Sequence, residues 1–185
     1  MIHTLVALVQ DHPGVLTRVV SLVRRRGYNI HSLAVGPSEA QGVSRITLVV
    51  ESDDVEQIVK QLYRLIEVVK VVDVTGSLVV ERELALLKVN ARSGDSAELF
   101  AIVKACGGTI ANVATSSVIV EMNAAPDKVD NLVEVLQPFG IQELARTGRV
   151  AMLPDSRTQT SSRNGGKSRT GSQSVAEKEP MTAED

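Results

Sequence analysis

The sequence predicts an α+β protein made of two consecutive small domains, each a four-stranded antiparallel sheet with two helices on one side. Two observations predict it. Hydrophobic spacing passes through the order strand, helix, strand, strand, helix, strand, and the same order then repeats with similar punctuation before Pro154. Beyond Pro154 the composition turns polar, and a disordered tail is expected there.

The first element, Thr4 to Val9, is apolar on both faces, so both faces should be covered. Pro13 and Gly14 introduce an amphipathic helix in which Val15, Leu16, Val19, Val20, Leu22 and Val23 form the packing face. Gly27 ends it, in the position where a left-handed residue commonly closes a helix. Arg24, Arg25 and Arg26 complement the negative end of the helix dipole, a simpler account of the basic run than a phosphate or nucleic-acid patch. Asn29 to Val35 and Val43 to Glu51 form a hairpin around Gly36, Pro37 and Gly42. Asp53, with Glu56 three residues on, is expected to cap a second helix whose stripe is Val55, Ile58, Val59, Leu62 and Leu65, before a strand from Val68 to Val74.

In the second round, Leu84 to Ala91 is a strand, and Asp95 with Glu98 caps a helix that runs to Gly107 and Gly108. Ile110 to Val113 and Val118 to Met122 pair, Pro126 opens the last helix, and Ile141 to Met152 closes the second sheet as one strand. Each half is thus a ferredoxin-like βαββαβ unit, the split βαβ arrangement. The expected divisions are 1–75, a linker at 76–83, 84–153, and a disordered polar tail at 154–185. The tail reads as solubilising, with a tether to a partner as the alternative. Units of about 75 residues leave much surface exposed, and the sheet face carrying Val6, Leu8, Thr47 and Val49 or their alternates needs cover, so a dimer is expected.

Composition narrows the function. A net charge of -2 gives no nucleic-acid footprint. Tyr28, Tyr63, Phe100 and Phe139 are the only aromatic residues, too few for a base-stacking platform. No apolar run reaches membrane-spanning length, and the first strand begins by His3, leaving no room for a leader. With a single cysteine, Cys106, expected to be buried, the cytoplasm or an equivalent reducing compartment is the expected location. His3, His12 and His31 lack metal-ligand spacing, and neither a phosphate loop nor a nucleophile elbow occurs. The chain reads as a binder without catalytic residues. Its one chemically suggestive feature is the entry to the first helix, where unpaired N–H groups and a partial positive charge suit a carboxylate and Gly14 allows close approach. Asp11 is either a helix cap, the favoured reading, or a partner for a ligand ammonium group.

These residues also carry a resemblance. Asp11-His12-Pro13-Gly14-Val15-Leu16 resembles the ligand loop of ACT domains. The run Arg26 to Gly36, followed by Ser44-Arg45-Ile46-Thr47, is similar to the regulatory small subunit of acetolactate synthase. Further matches lie at Lys60-Gln61-Leu62, Glu81 to Val89, Phe139-Gly140-Ile141 and Ala145 to Gly148. The resemblance implies a non-catalytic subunit for branched-chain amino acid biosynthesis. Such a subunit activates a catalytic large subunit, which itself holds thiamine diphosphate, magnesium and FAD, and confers feedback inhibition by valine. It further implies a homodimer through the ACT domains, with valine or a related amino acid bound where two of them meet, at Asp11, Gly14, Val15, Leu16, Asn29 and Ile30. No cofactor or metal is expected in this chain. Asn29 could equally be a turn residue after Gly27. His31 stands where many members of the family carry an acidic residue, and Arg92-Ser93-Gly94-Asp95 replaces the ligand loop in the second half, where no effector site is expected. The tail extends past the usual family end. A stand-alone amino-acid-responsive regulator is the alternative, and a helix-turn-helix or basic face would favour it.

Overall fold

The computed structural model describes residues 1–91 and 96–154. The cap expected at Asp95, the loop at residues 92–95 and nearly all of the tail lie outside them. The first round of elements is β1 (Ile2–Gln10), α1 (Val15–Arg25), β2 (Asn29–Pro37), β3 (Val43–Glu51), α2 (Val55–Leu62) and β4 (Val68–Asp73). The second is β5 (Val80–Asn90), α3 (Ser96–Cys106), β6 (Thr109–Val113), β7 (Ser117–Ala124), α4 (Pro126–Leu136) and β8 (Ile141–Arg146), followed by a short β9 (Val150–Met152). β5 starts inside the segment 76–83.

The first sheet has the order β2-β3-β1-β4 and the second the order β6-β7-β5-β8, all neighbours antiparallel. These are tandem ferredoxin-like units. Strand alternation sends Leu5, Ala7 and Val9 toward α1 and α2, where they join Val15, Val19, Val23, Ile46, Leu48, Val50, Ile58 and Leu62 in one buried core. Ala85, Leu87 and Val89 do the same in the second half with Leu99, Val103, Val129, Leu132 and Leu136.

The end of α1 follows from its sequence. Gly27 adopts φ +78°, so that its N–H reaches the Arg24 carbonyl at 2.9 Å and the Tyr28 N–H reaches Val23 at 3.3 Å. This paired closure satisfies carbonyls that the helix itself leaves open. The start of α2 corrects the expectation: Asp54, not Asp53, caps it, accepting from the Gln57 N–H at 3.0 Å. The Ser52 hydroxyl takes the Asp54 N–H at 3.0 Å and delays the turn by one residue, leaving Asp53 exposed beside the N-terminal amine at 3.4 Å. Gln61, a polar residue on α2, is buried. Cys106 is a free thiol, half-buried.

The largest departure is at the end of the chain. Ile141 to Met152 is not one strand: Gly148 takes φ +81° and releases the chain from β8. The chain then crosses to the open face of the first sheet, where β9 pairs with the first three residues of β5, Val80 to Met152 and Arg82 to Val150. On that face Thr4, Val6, Thr47 and Val49 are all buried, and Ala151 packs with Val6 and Val74. Part of the cover expected for this face is thus supplied within the chain, by residues 150–152.

Candidate functional site

The loop between β1 and α1 is anchored where it leaves β1. Gln10 donates its N–H to the Glu67 carbonyl at 2.9 Å, and Asp11 donates its own to Gly42 at 2.8 Å. Gly14 then takes φ +90° as the residue before the helix, a conformation that costs an L side chain about 1 to 2 kcal/mol. A Cβ there would have nothing within 4 Å, so the loop is open above Gly14.

No side chain caps α1. Asp11 is exposed and not engaged as a cap, which corrects the favoured sequence reading. The Val15 N–H turns back to the His12 carbonyl at 3.4 Å and the Arg18 N–H closes on Gly14 at 3.0 Å. Among the described residues, the N–H groups of Gly14, Leu16 and Thr17 have no protein acceptor. A helix start in this condition attracts a carboxylate by its unpaired donors and its dipole together.

The candidate residues divide by exposure. Val15 is 3% exposed and belongs to the core, so only its backbone faces the loop, whereas Leu16 is 40% exposed beside it. Asn29 is exposed and Ile30 half-buried against the core. They also divide by position. Asn29 pairs with Glu51 and Glu51 with Ile2, while Gln10 pairs with Val43 at the other end of the sheet. Eight strand steps separate the two ends, roughly 27 Å. One chain therefore holds Asp11, Gly14 and Leu16 at one end and Asn29 and Ile30 at the other, and does not bring them together.

β2 is an edge strand, and Pro37, its last residue, is level with Ser44 and Val9 at the Gly14 end. Two such edges related by a two-fold axis and paired antiparallel would set Asn29 of one chain against the Pro37 end, and so the Gly14 loop, of the other. His31 lies beside Asn29 at a break in register between Ile30 and Ser32, its Nε2 3.3 Å from Glu51.

One residue escaped the sequence reading. Glu67, with a side chain only 5% exposed, forms an ion pair with Arg18 and so ties the first turns of α1 to the start of β4. A lone acid in the apolar run Leu65-Ile66-Glu67-Val68-Val69 was the available signal, since a charge in such a run is buried only with a partner. In the second half Arg146 spans Glu83 and Asp130 at 2.7 Å each. Its hydrogen bonds to Glu83 hold the guanidinium above its ordinary pKa, against the opposing effect of burial. Among the described residues no cluster of three or more His, Cys, Asp or Glu side chains is placed to hold a metal, and no helix is long and apolar enough to cross a membrane.

Comparison with known proteins matches both halves. Residues 5–70 match the AHAS small subunit-like ACT domain, and residues 82–154 match the small subunit of acetolactate synthase. A probable acetolactate synthase small subunit from Archaeoglobus fulgidus is 46% identical over 155 residues, 83% of this chain and 97% of that protein. The acetolactate synthase small subunit of Mycolicibacterium smegmatis is 45% identical over 152 residues, 81% and 89% of the two chains. The crystal structure of the small subunit from Thermotoga maritima superposes with a TM-score of 0.76 at 42% identity, covering 82% of this chain and 96% of that one. An open helix entry on a ferredoxin-like sheet, followed by a second such unit that matches in its own right, places this chain in the acetolactate synthase small-subunit family.

Proposed function

We propose that this chain is the regulatory subunit of an acetolactate synthase, activating a catalytic large subunit and conferring feedback inhibition by valine or a related branched-chain amino acid. The chain itself performs no chemistry. Thiamine diphosphate, magnesium and FAD are assigned to the large subunit. The observation that carries the effector site is the uncapped start of α1 at Gly14, open to solvent and entered from a β1 end whose Gln10 and Asp11 N–H groups are bonded to Glu67 and Gly42.

In this reading two chains pair through their β2 edges, and each amino acid sits between the Gly14 loop of one and Asn29 and Ile30 of the other. The N–H groups near Gly14 to Leu16 take the carboxylate, and Asp11 and Asn29 orient the ammonium group. Leu16 and Ile30 enclose the branched side chain. Regulation is then a coupling of equilibria, for which about 1 to 3 kcal/mol is typical.

The test is acetolactate formation by the cognate large subunit, with and without this chain, across a valine titration. Activation that valine reverses is the expected result. No effect on rate or on valine response would refute the assignment. Gly14→Asp places bulk and negative charge where the carboxylate should sit, and unchanged valine inhibition in that variant would remove the proposed site.

A further inference from the structure

We infer that the junction of Ser32 with Gly148 and Arg149 is the link through which a ligand at β2 is sensed by the second half of the chain, a regulatory role that rests on the reading of β2 as one wall of the amino-acid site. Ser32 follows Ile30 by two residues, immediately after the break in register on β2. Such a break leaves a residue outside the ladder and disrupts it locally.

Ser32 is held by the C-terminal segment rather than by its own half alone. Its Oγ accepts the Arg149 N–H at 2.8 Å. Gly148 approaches so closely that a Cβ on it would lie 2.7 Å from that Oγ and 3.2 Å from the Leu33 carbonyl oxygen. The Arg149 guanidinium then reaches Thr4 Oγ1 on β1 at 3.4 Å and the Glu81 carboxylate on β5 at 3.6 Å. Two residues further, the Ala151 carbonyl accepts from Arg45 of β3 at 2.7 Å.

The consequence is mechanical. Residues 150–152 are paired with residues 80–82 of β5, and β5 continues as a central strand of the second sheet. A displacement of β2 at its irregular point is therefore delivered to a segment that is hydrogen-bonded to the second half. An open cleft of about 510 Å³ lies beside the junction, lined in part by His31, Ser32, Arg146 and Arg149.

The experiment uses the full chain and L-valine as the probe. Calorimetry measures valine binding, and amide hydrogen exchange follows residues 80–82 and 147–152, with and without valine, in the unmodified chain, Ser32→Ala and Ser32→Thr. In the unmodified chain, valine is expected to change exchange at the Arg149 amide and along β9 by about fivefold, the scale of one hydrogen bond made or lost. Ser32→Ala should keep valine affinity within about threefold while abolishing that response, and Ser32→Thr, which retains the acceptor hydroxyl, should restore it. Valine binding with no change at residues 147–152, or a full response in Ser32→Ala, would overturn the role of the junction alone. No valine binding to the unmodified chain would overturn the reading of the site and this role with it.

Discussion

Gly148→Ala should be among the most costly small substitutions in the chain, and its cost can be divided into parts. At φ +81° an alanine pays about 1 to 2 kcal/mol for the left-handed backbone. Its Cβ would stand 2.7 Å from Ser32 Oγ, too close to remain. The hydroxyl can rotate away, but only by giving up the Arg149 N–H, a further loss of about 1 kcal/mol. The sum is about 2 to 3 kcal/mol. In a Ser32→Ala background the hydroxyl clash is absent and the bond already missing, so Gly148→Ala should cost only the backbone part and the 3.2 Å contact with the Leu33 carbonyl oxygen, which is the same in both backgrounds. Urea unfolding of the four proteins, followed by circular dichroism, measures the cycle. A coupling of about 1 kcal/mol is expected, and additivity within about 0.3 kcal/mol would refute the account of this contact.

Other substitutions separate neighbouring roles. Asp54→Ala should cost about 1 kcal/mol through loss of the α2 cap, whereas Asp53→Ala should stay within about 0.5 kcal/mol; thermal unfolding distinguishes them. Glu67→Gln removes the buried partner of Arg18. Because Arg18 is half exposed, solvent screens the pair and the loss should be about 1 kcal/mol, with amide exchange in the first turn of α1 rising about fivefold. Arg146→Lys exchanges a forked donor for a point charge and leaves Glu83 poorly paired, at about 1 to 2 kcal/mol by urea unfolding. The raised pKa of Arg146 means that its contribution is complete below the ordinary arginine range and is lost only as pH rises beyond it. This group should therefore add no pH dependence near neutrality, and a neutral-range dependence of stability that Arg146→Lys abolishes would contradict that sign.

Local chemistry was the legible part of the sequence. Gly27 after a helical stripe, Pro126 before one, and the alternation of Val43 to Glu51 each act within a few residues, and the structure follows them closely. The cap slipped by one place because Asp53 and Asp54 are both suitable, and the choice depended on which amide the Ser52 hydroxyl took. Gln61 is polar and follows Lys60, and only the packing of α2 shows that it is buried. The open helix entry could be read from Pro13-Gly14, but the roughly 27 Å between that loop and Asn29 follows from strand direction and register, which no local pattern encodes. The crossing of residues 147–152 onto the first sheet was hidden for the same reason. Gly148 is the one local mark of a break there, and the partner of β9, residues 80–82 of β5, lies far away in the sequence.

That crossing bears on how the two halves depend on each other. Order along the chain suggests two interchangeable beads, each able to be copied, lost or fused elsewhere. Val6, Thr47 and Val49 are sheltered by residues that come a hundred places later, and β5 opens against β9 before it enters its own sheet. Excising the first half would bare a greasy sheet face, and shortening the chain before Val150 would do the same while leaving both repeats nominally intact. Inheritance of the first half together with residues 150–152 is thus a condition of keeping that sheet face covered.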